Sequence, residues 1–298
     1  MTFFSNDEIR TTPFFCFACN LFRYSNDVKY LRDLKIHLTN YSIQKKSKNY
    51  KQNTDYNEYL FTKWSLKQLL EYLQIRDHQN IDLLLSDIHD IVIKTMLSVH
   101  ASITSRLTLA NCSWKQCFEL YGFDILLTDE LVPYLLEVNL LPSLSSSSPF
   151  DKRIKTTLMC DIFHCIGVEP VDMKEYSSLQ SNSLESAHKR SPTCENFSKE
   201  RLMIGPREVQ LLQEIQDQLN RSGNFRCIYP LTSNVAKYQG FYGSATYNCL
   251  LWLNFLKLSP AEQSLILNVD NKGNDDILFQ IVVSETAVTL KTASTPQN

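Results

Sequence analysis

The sequence predicts a mixed α/β chain of the α+β kind, and three observations carry that expectation. Apolar residues recur at helical spacing between residues 65 and 104, at a spacing of two between 117 and 139, and lose their period between 169 and 203. Helices and an antiparallel hairpin therefore fill the first half, a linker follows, and a helical and mixed region closes the chain. With 298 residues, 43% of them hydrophobic, there is apolar material for one sizeable core and at most two domains.

Taken in order, "TPFFCFACNLFRYS" reads as a buried strand and its exit, so near the start that the chain is expected to begin partway into a fold. Residues 29 to 51 then hold seven Lys/Arg against one Asp, a local basic excess in a chain of net charge −2. Ser65 and Gln68 have the spacing of a capping box, with Leu66, Leu69, Leu70 and Leu73 following at helical intervals. A longer helix is expected over 80–104, with Ile81, Leu84, Leu85, Ile88, Val92, Met96 and Val99 inward. "CFELYGFDILL" and "PYLLEVN", separated by "TDE", read as two strands of a hairpin. "DKRIKTTLMCDIFHCIGV" is an amphipathic helix that Asp151 would cap and Gly167 would end. Seven serines between 177 and 198 mark the linker. Pro206 opens a further helix, with Val209, Leu212, Ile215 and Leu219 inward and Gly223 past its end.

Composition excludes several classes. Nine scattered cysteines give no even disulfide framework, so reduced thiols and an intracellular protein are expected. "FFCFACNLF" is too short and too interrupted to span a membrane. A monomer with neither membrane nor nucleic-acid partner is the expectation. Of the seven glycines the first is Gly122, which rules out a P-loop or a G-x-G-x-x-G cradle in the preceding 121 residues.

Within the hairpin, Glu137 and Asn139 interrupt an apolar run two residues apart and so share a face. A hairpin centred near Glu130 and Leu131 places Asp124 opposite Glu137, with Cβ atoms roughly 5 Å apart. Two carboxylates at that distance repel unless a cation or donors compensate, and a hard divalent cation such as Mg2+, which prefers oxygen ligands and keeps positions for phosphates, does this well. A solvent-facing strand side carrying ordinary polar residues has the same pattern, and spacing alone does not separate the two.

"HLTNYSIQKK", "KWSLKQLLEYL", "CFELYGFDILL" and "LLEVNLLPSL" resemble, in that order, the catalytic half of the tubulin tyrosine ligase-like family, and especially its polyglutamylases. The resemblance covers roughly residues 14 to 170, and "PREVQLLQEIQDQLNRSGNF" with "RCIYP" is similar to the segment that follows the catalytic region in branch-initiating members. It implies the C-terminal part of an ATP-grasp fold over residues 1–170, a serine-rich linker over 171–203 and a C-terminal extension over 204–298. It also implies a ligase using Mg2+ and ATP, which phosphorylates a glutamate γ-carboxylate of a tubulin tail before the amine of free L-glutamate attacks. By the same resemblance the metal ligands are Asp124, Glu137 and Asn139, and Thr39 and Asn40 contact the nucleotide. Tyr41, Ser42, Lys63 and Leu140 surround the incoming glutamate, the aliphatic Leu140 being of the initiating kind, and Lys45, Lys46, Lys48 and Lys51 attract the acidic tail. The expected location is the cytoplasm and its microtubules, with cilium or basal body as the further expectation.

The family's upstream lobe, with its phosphate-binding lysines and glutamate-binding arginine, has no counterpart here, and Cys16 stands where the arginine of the family's "RFA" falls. The ligase activity is therefore expected to be impaired in this chain by itself; an alternative is a non-catalytic microtubule-binding or regulatory fragment, and another is an incomplete piece of a longer protein. Other candidate groups have plainer readings. Cys16 and Cys19 form a C-x-x-C without a second pair, His37 reads as a hydrogen-bonded residue orienting its loop, and Ser145 to Ser148 lack a nucleophile-elbow pattern and read as a turn.

Overall fold

The computed structural model describes residues 2–5, 8–11, 16–18, 24–38, 41–48, 63–77, 80–110, 117–146, 148–167, 201–241, 247–269, 279–283 and 288–292. These form a mixed fold of helices and antiparallel sheet in two compact units.

The first unit takes in most of the chain up to Ile162 and regains Asn224–Ile228. Its main sheet contains β1 (Thr2–Ser5), β2 (Glu8–Thr11), β5 (Glu119–Leu127), β6 (Pro133–Asn139) and β8 (Arg226–Tyr229), in the order β6-β5-β1-β2-β8. A separate pair joins β3 (Cys16–Ala18) to β4 (Lys63–Ser65) in antiparallel register. The strand expected in the aromatic N-terminal stretch is β3, whereas β1, which pairs Thr2 with Tyr121, had no sequence signal.

Two short helices, α1 (Leu34–His37) and α2 (Tyr41–Gln44), precede α3 (Leu66–Asp77). The expected capping box is present: the Ser65 amide donates to Gln68 Oε1 at 2.8 Å and the Gln68 amide donates to Ser65 Oγ at 3.2 Å. Both side chains are buried, so two orphan amides are satisfied where water has no access. Helix α4 (Ile81–Leu109) starts where expected, with Asn80 Oδ1 accepting from the Leu83 amide at 3.2 Å, and runs five residues past the predicted end. Leu84, Val92 and Met96 are buried as predicted, but Val99 is 43% exposed because the buried stripe ends at Leu97 and the helix continues outside the core. Leu69, Leu73 and Leu84 form a core cluster against which Trp64, Ile88, Leu127 and Leu131 pack.

Helix α5 (Pro149–Ile166) buries Phe150, Ile154, Leu158, Ile162 and Cys165 at helical intervals. Its cap corrects the sequence expectation. Ser148 Oγ accepts from the Asp151 amide at 3.1 Å, and Asp151 itself lies inside the helix and is buried. Pro149 explains the shift, since its fixed φ suits the first helical position and leaves the preceding serine as the cap. Gly167, with φ of 67°, ends the helix as expected.

The second unit comprises residues 163–223 and 229–298, with 6–8. Its sheet has the order β10-β9-β7, from β7 (Arg201–Ile204), β9 (Phe279–Val283) and β10 (Val288–Thr292). Arg201–Ile204 falls at the end of the span assigned to the serine-rich linker, while 168–200 lie outside the described residues. Helix α6 (Pro206–Asn220) buries Val209, Leu212 and Ile215 as predicted, with Leu211 and Gln218 added and Leu219 half-buried. It packs on β7 and on α8 (Pro260–Leu267), and α7 (Tyr247–Phe255) packs on β9. Gln213 Nε2 donates to the carbonyls of Leu267 and Val269 at 2.9 and 3.2 Å, capping the end of α8 from α6.

Candidate metal centre

The β5–β6 hairpin turns through Thr128–Val132, and its ladder starts with Leu127 opposite Pro133, Leu126 opposite Tyr134 and Ile125 opposite Leu135. A regular ladder would continue with Asp124 opposite Leu136, Phe123 opposite Glu137 and Tyr121 opposite Asn139. Phe123 and Tyr121 are buried, so that register would drive a carboxylate and an amide into apolar surroundings. Instead the register shifts between Asp124 and Ile125. Leu136 is left as an extra residue, Asp124 faces Glu137, and Gly122 faces Asn139. The bulge moves both polar side chains to the exposed side. Leu136, 64% exposed, loses little by standing unpaired.

Asp124 and Glu137 thus meet across the ladder as the sequence predicts, and Asn139 joins them on the same face, its Nδ2 donating to Glu137 Oε1 at 3.2 Å. That bond leaves Asn139 Oδ1 as an acceptor. Partial burial, followed by a hydrogen bond with Glu137 and that residue's charge, raises the Asp124 carboxyl above its ordinary pKa. Among the described residues neither carboxylate has an ion pair with Lys or Arg, and no group of three or more His, Cys, Asp or Glu side chains is gathered anywhere. The donors are all oxygens, two of them carboxylates whose mutual repulsion is met only by the Asn139 amide and by the raised Asp124 pKa. That set fits a hard divalent cation and does not suit a softer metal.

The remaining predicted residues are placed unevenly. Leu140 follows β6 directly and is 64% exposed. Tyr41 and Ser42 open α2 and Lys63 opens β4, their side chains lying outside the described part of the chain, as do Thr39, Asn40, Lys51 and Cys19 altogether. Lys45, Lys46 and Lys48 are exposed. His37 plays the local part expected of it: Nε2 donates to the Tyr30 carbonyl at 2.9 Å and the ring stands edge-on to Tyr24. Of the serine run, Ser147 lies outside the described residues; the Ser143 and Ser145 hydroxyls are 2.9 Å apart and Lys155 Nζ donates to the Ser145 carbonyl. His164 is exposed and Cys165 is buried.

Sequence reasoning missed Gln44. This buried side chain donates through Nε2 to the carbonyls of Lys35 and Leu38 at 2.8 and 2.9 Å, tying α2 to the end of α1. Only the pairing of an amide side chain with two helix ends beside the basic run hints at it. The Leu136 bulge was also missed, although the distances from the turn to Asp124 and to Glu137 differ by one residue.

The tubulin-tyrosine ligase family pattern matches residues 14–176, a span that contains the hairpin and both carboxylates. The chain belongs to the tubulin-tyrosine ligase family. It is 32% identical to the tubulin monoglutamylase TTLL4 of Mus musculus over 257 residues, which cover 76% of this chain and 21% of that protein. It is 29% identical to the tubulin polyglutamylase TTLL5 of Homo sapiens over 249 residues, 74% of this chain and 19% of that protein. With the tubulin polyglutamylase TTLL6 of Homo sapiens it shares 35% identity over 222 residues, 71% of this chain and 23% of that protein. The chain spans about a fifth of the length of these curated relatives. Among the described residues no helix is long and apolar enough to cross a membrane.

Proposed function

We propose that the chain is a portion of an ATP- and Mg2+-dependent ligase of the ATP-grasp type, which joins the amine of free L-glutamate to the γ-carboxylate of a glutamate in a tubulin tail. The observation that carries this reading is the oxygen set of Asp124, Glu137 and Asn139 on one face of the hairpin, inside the span that matches the family. These three residues would hold Mg2+, which when bound supplies Lewis acidity to phosphoryl oxygens. Thr39 and Asn40 hold the nucleotide, and Tyr41, Ser42 and Lys63 orient the incoming glutamate, Lys63 as a point charge for a carboxylate. Leu140 adjoins the metal ligand Asn139 and brings an aliphatic side chain to the glutamate site, which supports initiation over elongation. Lys45, Lys46, Lys48 and Lys51 steer an acidic tail by charge. Two of these relatives are tubulin polyglutamylases and one is a tubulin monoglutamylase, which supports tubulin as acceptor and the microtubule cytoskeleton as the setting; cilium and basal body are the further proposal.

The test is ATP-dependent incorporation of glutamate into tubulin by wild type and by Glu137→Gln. Loss in the variant is expected; equal incorporation removes Glu137 from the mechanism.

The exposure of Lys45, Lys46 and Lys48 favours a second reading, a non-catalytic microtubule-binding or regulatory segment. Salt-sensitive cosedimentation with microtubules, lost when tubulin tails are removed and unaccompanied by nucleotide binding, is its signature. A chain that never associates with microtubules excludes it.

A further inference from the structure

We infer that Gly122 is a positioning residue for the metal centre, acting through Pro142 on the chain that leaves Asn139. The inference rests on the metal reading above and deepens it. Gly122 faces Asn139 across the ladder. A Cβ built on Gly122 would stand 3.0 Å from Pro142 Cβ and 3.6 Å from Asn139 Cβ. The first distance is tighter than most real Cβ contacts, so a side chain here requires Pro142 to give by a few tenths of an ångström. Conformation makes no such demand, since Gly122 is not among the positive-φ glycines. Its missing side chain is needed for space alone.

The displacement is taken up more readily on one side of Pro142 than on the other. Beyond Pro142 the chain is tied down: Ser143 and Ser145 share a hydroxyl hydrogen bond, Lys155 Nζ donates to the Ser145 carbonyl, and Ser148 Oγ caps α5. Before Pro142 stand Leu140 and Leu141, 64% and 89% exposed and without a packed anchor. A shift at Pro142 therefore passes back through these two residues to Asn139. The Asn139 amide sits on the carboxylate pair through one bond of 3.2 Å to Glu137, and moving it opens the three-oxygen set. Pro142 lying on Gly122 thereby fixes both the third metal donor and the start of the segment that carries Leu140.

The experiment compares the full chain as wild type, Gly122→Ala, Pro142→Gly and the double variant, with Mn2+ as probe. Affinity is read by titration, and the Asn139 side-chain amide resonance is followed without metal. The cross-strand proton contact between Asp124 and Glu137 reports an intact hairpin in each. Gly122→Ala is expected to bind Mn2+ roughly tenfold more weakly, the lower end of the range for groups that orient metal ligands. Pro142→Gly, which removes the clashing Cβ, is expected to restore affinity in the Gly122→Ala background. The Asn139 resonance should shift in the single variant and return in the double. Unchanged affinity in Gly122→Ala, or a loss that Pro142→Gly does not rescue, overturns the inference. If wild type binds no Mn2+, the metal reading fails, and an Asn139 resonance indifferent to Gly122→Ala then overturns the positioning role as well.

Discussion

Asp124 and Glu137 stand directly opposite each other on the exposed face of β5–β6, one step beyond a bulge at Leu136 that keeps them out of register with the turn. Like charges placed opposite in a sheet destabilise it by roughly 0.2–1 kcal/mol, so without metal the pair weakens the hairpin that presents it. Asp124→Asn is therefore expected to raise the thermal midpoint slightly in the presence of a chelator. On the Mg2+ reading proposed above, the order should reverse in excess Mg2+, because wild type would gain ligand stabilisation that the variant lacks. A variant that is less stable than wild type in chelator would mean that the carboxylates are not in repulsion.

Gln44 supports a second prediction. Its amide is buried and bonded to two carbonyls at the end of α1. Gln44→Leu keeps most of the volume and leaves both acceptors without their donor, at an expected cost of about 1–3 kcal/mol. Gln44→Glu should be worse at neutral pH, since it sets carboxylate oxygens against carbonyl oxygens. Denaturant midpoints of the two variants check the order; a stable Gln44→Glu would show that the two carbonyls have other donors.

Parts of this architecture were legible because they are local. The Ser65 and Gln68 box, the helical stripe through Leu84, Val92 and Met96 and the pairing of Asp124 with Glu137 each follow from residue spacing. Helix α7 escaped notice because Cys249, Leu251, Trp252, Leu253, Asn254 and Phe255 are all buried, and a helix buried all round shows no period. Helix α8 had a readable signal, Ser259-Pro-Ala-Glu262, whose reciprocal bonds form the same box as in α3. The pairing of β1 with β5 joins residues more than a hundred positions apart, and no spacing rule reaches that far. At the candidate metal centre the residue types and their face were readable, but the bulge and the Gly122–Pro142 approach were not, because both depend on where the backbone runs.

His89 gives the first unit a pH dependence of defined sign. Burial, and then the charge of Arg226, hold its imidazole below the ordinary value of 6.5. The folded state thus prefers the neutral ring, and between the two pKa values the unfolded chain binds the extra proton. The stability contributed by this group is complete above pH 6.5 and is lost as pH falls through the folded value. Thermal midpoints should decline on acidification below neutrality, and His89→Gln should flatten that part of the profile. An unaltered profile in the variant would assign the decline to other groups.

Leu131 sets two effects against each other. It is the one non-glycine residue with positive φ among those described, at 60°, and it packs partly buried against the Leu69, Leu73 and Leu84 cluster. Left-handed backbone costs a bulky L-residue roughly 1–2 kcal/mol, and half-burial of a leucine side chain returns about 1 kcal/mol. The two nearly cancel, which is how the strain persists. Leu131→Gly removes both terms and should stay within about 1 kcal/mol of wild type, after the entropy that glycine adds to the unfolded chain. Leu131→Ala removes the packing and keeps the strain, so it should be less stable than Leu131→Gly by about 1 kcal/mol, the reverse of the usual ranking of the two residues. Denaturant unfolding of the pair decides the matter: if the alanine variant is the more stable, the turn does not hold Leu131 in the left-handed region.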